Sequence, residues 1–281
     1  MSAPVTTAQP TATDSAAAHA APAGRPAGLA RHPIMAIEVD QQARHDNQVA
    51  AGLYRAFEFA VSFAGLVILL PLILLQVLII RIDSPGPALF FQTRCGRSKI
   101  VPGRELLGRT DIVSATGNFE ADKMYWVPTT FQFVKLRTMY VDARVRAPDL
   151  YRYEFDSHEE FRNTFYKVDD DPRVTPVGRW LRRLSLDELP NLWSVVTGRV
   201  GLVGPRPEGP FYLPYYSALE MTKFTVRPGI TGLAVVNGRG NLRIGEQLDW
   251  DLAYVRTCSV KLDLKIILAT ARLVLTHRGA F

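Results

Sequence analysis

With 281 residues and 47% apolar content, the chain can build one sizeable core plus appendages. A net charge of +6 suits an anionic partner such as a lipid headgroup or a nucleotide, and two cysteines argue against a disulfide framework and fit a reducing, cytoplasmic setting. The histidines lack metal-ligand spacing and there is no GxGxxG or Walker loop, which counts against a Rossmann enzyme or a P-loop ATPase.

Residues 1 to 48 are rich in Ala, Thr, Pro and Gly and hold no apolar run of signal-peptide length, so they read as a disordered tail. From Phe59 to Ile80 follow 22 residues without a charge, which as a straight helix would reach about 33 Å and enter a membrane. Pro71 lies near the middle of this run. It removes the donor to the Val67 carbonyl and predicts a kink. Arg44 and Arg55 before the run and Arg81 after it give no charge bias for a crossing direction. Two readings stay open, a re-entrant hairpin returning to one side and a kinked spanning helix.

Asp83-Ser84-Pro85-Gly86-Pro87 predicts a sharp exit, followed by a short strand in ALFFQTRCGR. Residues from about 100 to 130 mix Gly, Pro and charge and read as one or two surface hairpins. In FQFVKLRT the alternation places Phe131, Phe133, Lys135 and Arg137 on one face. Two cations there suit a phosphate, or the charged edge of a sheet. Residues 140 to 168 show an irregular helical pattern to which no chemistry is assigned.

The chemistry concentrates between Asp171 and Glu208, where six arginines and no lysine surround the adjacent carboxylates Asp187 and Glu188. Val177, Trp180, Leu181 and Leu184 predict a short amphipathic helix with Arg179, Arg182 and Arg183 on its opposite face. Ser185 and Glu188 fit a capping box, placing both carboxylates in the first turn of a helix, with Pro190 tolerated near its start. Adjacent helical residues diverge by about 100° around the axis, so the pair is not a shared-proton dyad. One carboxylate can attack or accept a proton while the other holds Mg²⁺; the plainer alternative is that both cap a helix and pair with arginines. Arg206 lies between two prolines that stiffen it for gripping phosphate. Arg227 precedes a Pro-Gly turn, and Arg239 is flanked by glycines. Asp251 falls in a segment whose default is a solvated helix face, with a metal- or hydroxyl-binding role as the alternative, and residues 260 to 277 predict a Leu- and Ile-rich helix that packs on the domain or rests on a bilayer.

SLDELPNLW, LVGPRPE, VRPGITGL and NGRG, with KLRTM upstream and RGAF at the end, closely resemble the bacterial sugar transferases known as monotopic phosphoglycosyl transferases. The resemblance covers most of residues 50 to 281. It implies an α+β catalytic domain at residues 83–281, with an insertion at about 100–130, anchored by a Pro-broken re-entrant helix at residues 49–82. The implied setting is the bacterial inner membrane with the catalytic domain facing the cytoplasm. The implied reaction moves a sugar-1-phosphate from a UDP-sugar to polyprenyl phosphate, undecaprenyl phosphate in particular. Asp187 would be the nucleophile, Glu188 the Mg²⁺ ligand, and Lys135, Arg137, Arg182, Arg206, Arg227 and Arg239 the phosphate and substrate contacts. An aspartate at the position of Asp251 also belongs to the family pattern. Departures from that pattern are Glu58 for Asp, Leu70 for Ser before Pro71, Arg199-Val200-Gly201 for Asp-Met-Ser, and Ala234-Val235 for Trp-Gln. The alternatives are a membrane-anchored glycosyltransferase that releases UDP and a non-catalytic scaffold that binds anionic lipid. A nucleic-acid binder accounts less well for the apolar run. The sugar, the glycan pathway and the oligomeric state, homodimer included, stay open.

Overall fold

The alternation read in FQFVKLRT belongs to a much longer antiparallel ribbon. The computed structural model describes residues 33–39, 48–151, 154–165, 168, 170–238 and 241–275. Strands β1 (Ile34–Glu38), β2 (Leu89–Pro102), β3 (Ile112–Ser114) and β4 (Met124–Leu136) form one sheet in the order β2-β4-β1-β3. β2 and β4 pair from Leu89 opposite Leu136 to Pro102 opposite Met124, with an irregularity between Cys95 and Ser98. The stretch read as one or two surface hairpins therefore takes in the outer end of this ribbon and, for most of its length, the loop that closes it. Its closing loop carries β3.

The strand β1 corrects the reading of residues 1–48 as a tail without structure. Residues 1–32 and 40–47 lie outside the described residues, but IMAIE sits inside the sheet, parallel to β3 and antiparallel to β4. Alternation sends its side chains to two cores. Ala36 packs with Leu106, Ile112, Tyr125 and Val127, while Ile37 packs with Phe161, Tyr212, Tyr216 and Ile244.

The apolar run forms one helix, α1 (Gln48–Asp83), with Pro71 inside it. It is long and apolar enough to cross a membrane by length and composition. Its covered positions are Glu58, Ser62, Ile73, Gln76 and Ile80, a helical spacing that defines one stripe along its length. The other faces expose Phe59, Phe63, Val67, Ile68, Leu74 and Leu78. Polar groups thus face the protein and apolar ones face outward, the reverse of a helix on a soluble protein. Both ends of the stripe are fixed to the globular part. The Arg55 guanidinium donates to the Val196 carbonyl at 2.8 Å, and Glu58 accepts from the Leu202 amide at 2.9 Å. Ile80 joins Leu136 and Leu181.

Short helices α2 (Ala143–Arg146) and α3 (His158–Asn163) lead to α4 (Pro176–Arg183). Thr175 caps α4 by accepting from the Gly178 amide at 2.9 Å, with Pro176 in the first turn. A 3-10 helix (Leu186–Asn191) runs into α5 (Leu192–Val196), and both pack on α1. β5 (Gly201–Val203) pairs in parallel with β6 (Gly229–Thr231), flanked by α6 (Ala218–Met221), α7 (Leu233–Asn237), α8 (Ile244–Thr257) and α9 (Val260–Leu275). The mixed α and β architecture expected from the sequence is what is observed. On α9, Asp263 and Ile266 are buried while Leu264 and Leu268 are exposed.

Candidate active site

A 3-10 turn, the inner end of β4 and one loop bring the charged residues together. After α4, Ser185 adopts φ 56°, in the left-handed region. An N-cap needs an extended backbone for its side chain to reach the third amide of the helix, so the capping box read between Ser185 and Glu188 does not form. The chain instead tightens into the 3-10 turn, with Asp187 and Glu188 in its first turn and Pro190, which has no amide to donate, inside it. Asn191 is fully buried, and its Oδ1 accepts from the Val134 amide at 3.2 Å. That bond ties the carboxylate turn to β4.

The adjacent carboxylates occupy different surroundings. Asp187 is 8% exposed. Burial raises its pKa above the ordinary aspartate value, and Glu188 adds to the rise, against the opposing pull of Lys135 and Arg182. Glu188 receives the Lys135 ammonium on Oε1 at 2.6 Å. Burial alone would raise its pKa too, but Lys135 and Arg206 outweigh it and hold the group down at about 2. The result is one carboxylate kept ionised by its neighbours beside one that is poised higher.

Around the pair, Arg182 donates from Nε to Thr138 Oγ1 at 2.9 Å and lends its charge to Asp187. Arg206 stands exposed on a loop whose neighbours are buried, and its charge bears on Glu188. The structure thus brings Lys135, Arg182 and Arg206 to Asp187 and Glu188. Arg137 goes elsewhere. It is 6% exposed and donates to the Ser84 and Pro85 carbonyls at 2.8 and 2.9 Å, stapling the exit turn of α1 to β4. Arg227 also lies apart, its Nη2 donating to Glu58 Oε2 of α1 at 2.7 Å. Arg239 lies outside the described residues. The three arginines expected on one face of α4 are split, because Arg182 turns inward while Arg179 and Arg183 stay exposed, and Trp180 is half exposed rather than packed in an apolar stripe.

Among the described residues, no group of three His, Cys, Asp or Glu side chains is assembled for a metal. The hard oxygen donors at the site are the carboxylates of Asp187 and Glu188. That donor set suits Mg²⁺ held through one or two carboxylates, with the remaining positions on phosphate oxygens and water.

A family model described as bacterial sugar transferase matches residues 49–101 and 117–277, which include the whole carboxylate site. The chain belongs to the bacterial sugar transferase family. The unmatched residues 102–116 fall in the loop that closes the β2–β4 ribbon, and β1 precedes the matched region. Both family-external pieces therefore pair with each other in one sheet. The chain is 36% identical over 265 residues to a Caulobacter vibrioides protein named UDP-glucose:undecaprenyl-phosphate glucose-1-phosphate transferase, covering 92% of this chain and 77% of that one. It is 35% identical over 238 residues to the undecaprenyl-phosphate glucose phosphotransferase of Komagataeibacter xylinus, covering 81% of this chain but 36% of that one. It is 34% identical over 202 residues to the galactosyl transferase CpsE of Streptococcus agalactiae, covering 72% of this chain and 37% of that one. The chain thus spans little more than a third of two of these sugar transferases.

Arg94 was not legible as a site residue. Its charge also holds Glu188 down, and its guanidinium donates to the Pro207 carbonyl at 3.1 Å beside Arg206. Its only local signal is an arginine inside the strand ALFFQTRCGR, which Arg97 shares.

Proposed function

We propose that this bacterial sugar transferase moves a sugar-1-phosphate from a UDP-sugar to a polyprenyl phosphate such as undecaprenyl phosphate, releasing UMP, as the first membrane step of exopolysaccharide or glycoconjugate synthesis. The observation that carries this reading is the opposite tuning of two adjacent carboxylates inside a ring of Lys135, Arg182 and Arg206. A carboxylate with a raised pKa is the better nucleophile once ionised, and the cations favour a substrate made of phosphates.

In the proposed sequence, an Asp187 oxygen attacks the β-phosphorus of the UDP-sugar. The bond from that phosphorus to the oxygen bridging to the α-phosphate breaks, and UMP leaves with the bridging oxygen and its electrons. A phosphate oxygen of the polyprenyl phosphate then attacks the same phosphorus and restores the Asp187 carboxylate. Lys135 keeps Glu188 ionised throughout, and Arg182 and Arg206 hold phosphate oxygens in line. Mg²⁺ bound by Glu188 would supply positive charge where an anion attacks an anionic phosphate.

The setting belongs to the same proposal. The covered stripe of α1 runs from Glu58 to Ile80 on the globular domain, and 22 helical steps span about 33 Å. A spanning helix would have to carry one of those ends to the far side of a bilayer. Fixing both to one domain supports a re-entrant disposition of this continuous helix, with Pro71 inside it, and the active site at the cytoplasmic face of the inner membrane. Half-exposed Trp180 and Trp193, on helices packed against α1, suit the interfacial layer.

The test is intact-protein mass spectrometry of detergent-purified protein with Mg²⁺ and a panel of UDP-sugars that includes glucose and galactose, without acceptor. A phosphosugar adduct on the wild type that is absent from Asp187→Asn, with UMP in solution, is the expected result. UMP release only after polyprenyl phosphate is added would replace the covalent step with direct displacement. UDP release would make the chain a glycosyltransferase, and no turnover with any donor and acceptor would leave a lipid-binding scaffold.

A further inference from the structure

We infer that a buried ion pair remote from the carboxylates, Lys223 with Asp251, positions Arg206 for the phosphate of the substrate. Both side chains are 1% exposed, and their charged ends lie 2.8 Å apart. Such a pair is costly to bury and is weak evidence for stability by itself. What it touches gives it a task. Asp251, on α8, accepts the backbone N–H of Arg206, although the sequence left it as a solvated position.

The rest of the loop is held as closely. The Gly204 amide donates to the Thr231 carbonyl at 2.9 Å, and the Pro205 carbonyl accepts from the Gly229 amide at 2.9 Å. The Pro207 carbonyl accepts from Arg94, and the Glu208 carbonyl accepts from the Cys95 amide at 2.7 Å. The Glu208 carboxylate, 1% exposed, takes Gln247 Nε2 at 3.0 Å and faces Arg94 Nη1 at 3.4 Å. Every residue from Gly204 to Glu208 is thus tied by its backbone to β6, α8 or β2, and the one exposed side chain among them is Arg206. Two prolines leave Arg206 the central amide of the loop, and Asp251 is the group that holds it. Burial raises the pKa of Asp251 and the like charge of Glu208 adds to the rise, while Lys223 and the Arg206 amide pull against both. Lys223 and Asp251 are positioning residues, since neither is placed among the groups that meet the substrate.

This inference rests on the proposed reaction, so its test has one arm that does not. Two double variants replace the charges: Lys223→Met with Asp251→Leu, which releases the Arg206 amide, and Lys223→Met with Asp251→Asn, which keeps an acceptor. Hydrogen–deuterium exchange across residues 204–209 should be faster at Arg206 in the Leu version than in the Asn version. UMP release in the Leu version should fall as far as in Arg206→Ala, on the order of 100-fold, and adding Arg206→Ala to it should lower the rate no further. The Asn version should lose less. A Leu version that exchanges like the Asn version, or a loss that multiplies with that of Arg206→Ala, overturns the inference, because a general structural defect would multiply. If the Leu version does not fold, Lys223→Met alone decides: faster exchange at Arg206 with a lower rate supports the inference, and both unchanged sinks it. Exchange that follows expectation while the wild type itself releases no UMP refutes the proposed reaction and leaves the positioning intact.

Discussion

At the scale of single residues, the two carboxylates carry opposite linkages. Folding raises the pKa of Asp187, so the ionised group costs stability, fully above its raised folded value, and the cost fades as pH falls through that value and is gone below the unfolded one. Asp187→Asn should therefore raise the Tm at neutral pH, with the gain shrinking as pH approaches the ordinary aspartate value of 3.8. Thermal melts across that range check the sign. Glu188 behaves the other way, since its folded pKa of about 2 lies below the unfolded 4.5. It contributes stability above the unfolded value that is lost as pH falls towards 2. Lys135 couples to both groups. Lys135→Met removes a charge that lowers the pKa of Asp187, so the acid limb of the rate of UMP release should move to higher pH, and the maximal rate should drop on the order of 100-fold. A slower enzyme with an unmoved acid limb would contradict the coupling. Residue types at this scale were largely readable, because SLDELPNLW and GPRPE name their chemistry locally. The partners of Arg137 and Arg227 were not readable, because alternation and turn pattern tell which face a side chain takes, and not that a carbonyl pair or Glu58 waits there.

At the scale of elements, close approach decides more than periodicity. Gly178 of α4 lies against the backbone of Thr138, and a Cβ there would collide with that carbonyl. Gly178→Ala must push α4 away from the end of β4 and with it the Arg182–Thr138 contact. An overpacked site of this kind costs about 1–3 kcal/mol, to be read from urea or thermal unfolding, and the rate should fall through Arg182 even where the fold survives. The helix pattern of α4 was visible in the sequence, but the inward turn of Arg182 was not, since it depends on Thr138 arriving just past the end of β4. The same limit applied to the 3-10 turn, where a Ser-to-Glu spacing fits a capping box and only the left-handed φ of Ser185 shows that the helix tightens instead. On α1, Glu58 accepts from the Leu202 amide and from Arg227 while fully buried. Glu58→Ala leaves both without their acceptor, a loss of about 3 kcal/mol. Limited proteolysis near residues 198–204 should report the loosened contact between α1 and β5.

At the scale of the whole molecule, the strand β1 was hidden because four apolar residues and Glu38 were averaged into a low-complexity tail and their sheet partners lie far along the chain. The long apolar helix was plain from composition, whereas its disposition depends on what its polar positions meet. Glu58, Ser62 and Gln76 would be a liability on a helix surrounded by lipid, yet here they form the covered stripe against the globular domain. The domain acts as a template along the helix, so both ends of α1 should lie on one side of the membrane. Single cysteines at Gly52 and Ile82, two exposed positions near the ends, can test this in a Cys258→Ser background. The remaining thiol, Cys95, is buried and pushed up to about 12 by burial, so it reacts slowly. A membrane-impermeant maleimide should label both engineered sites in inverted vesicles and neither in intact cells whose outer membrane has been opened. Labelling of one site from each side would mean that α1 crosses, and the contacts of Arg55, Glu58 and Ile80 with the same domain could then not coexist in the membrane.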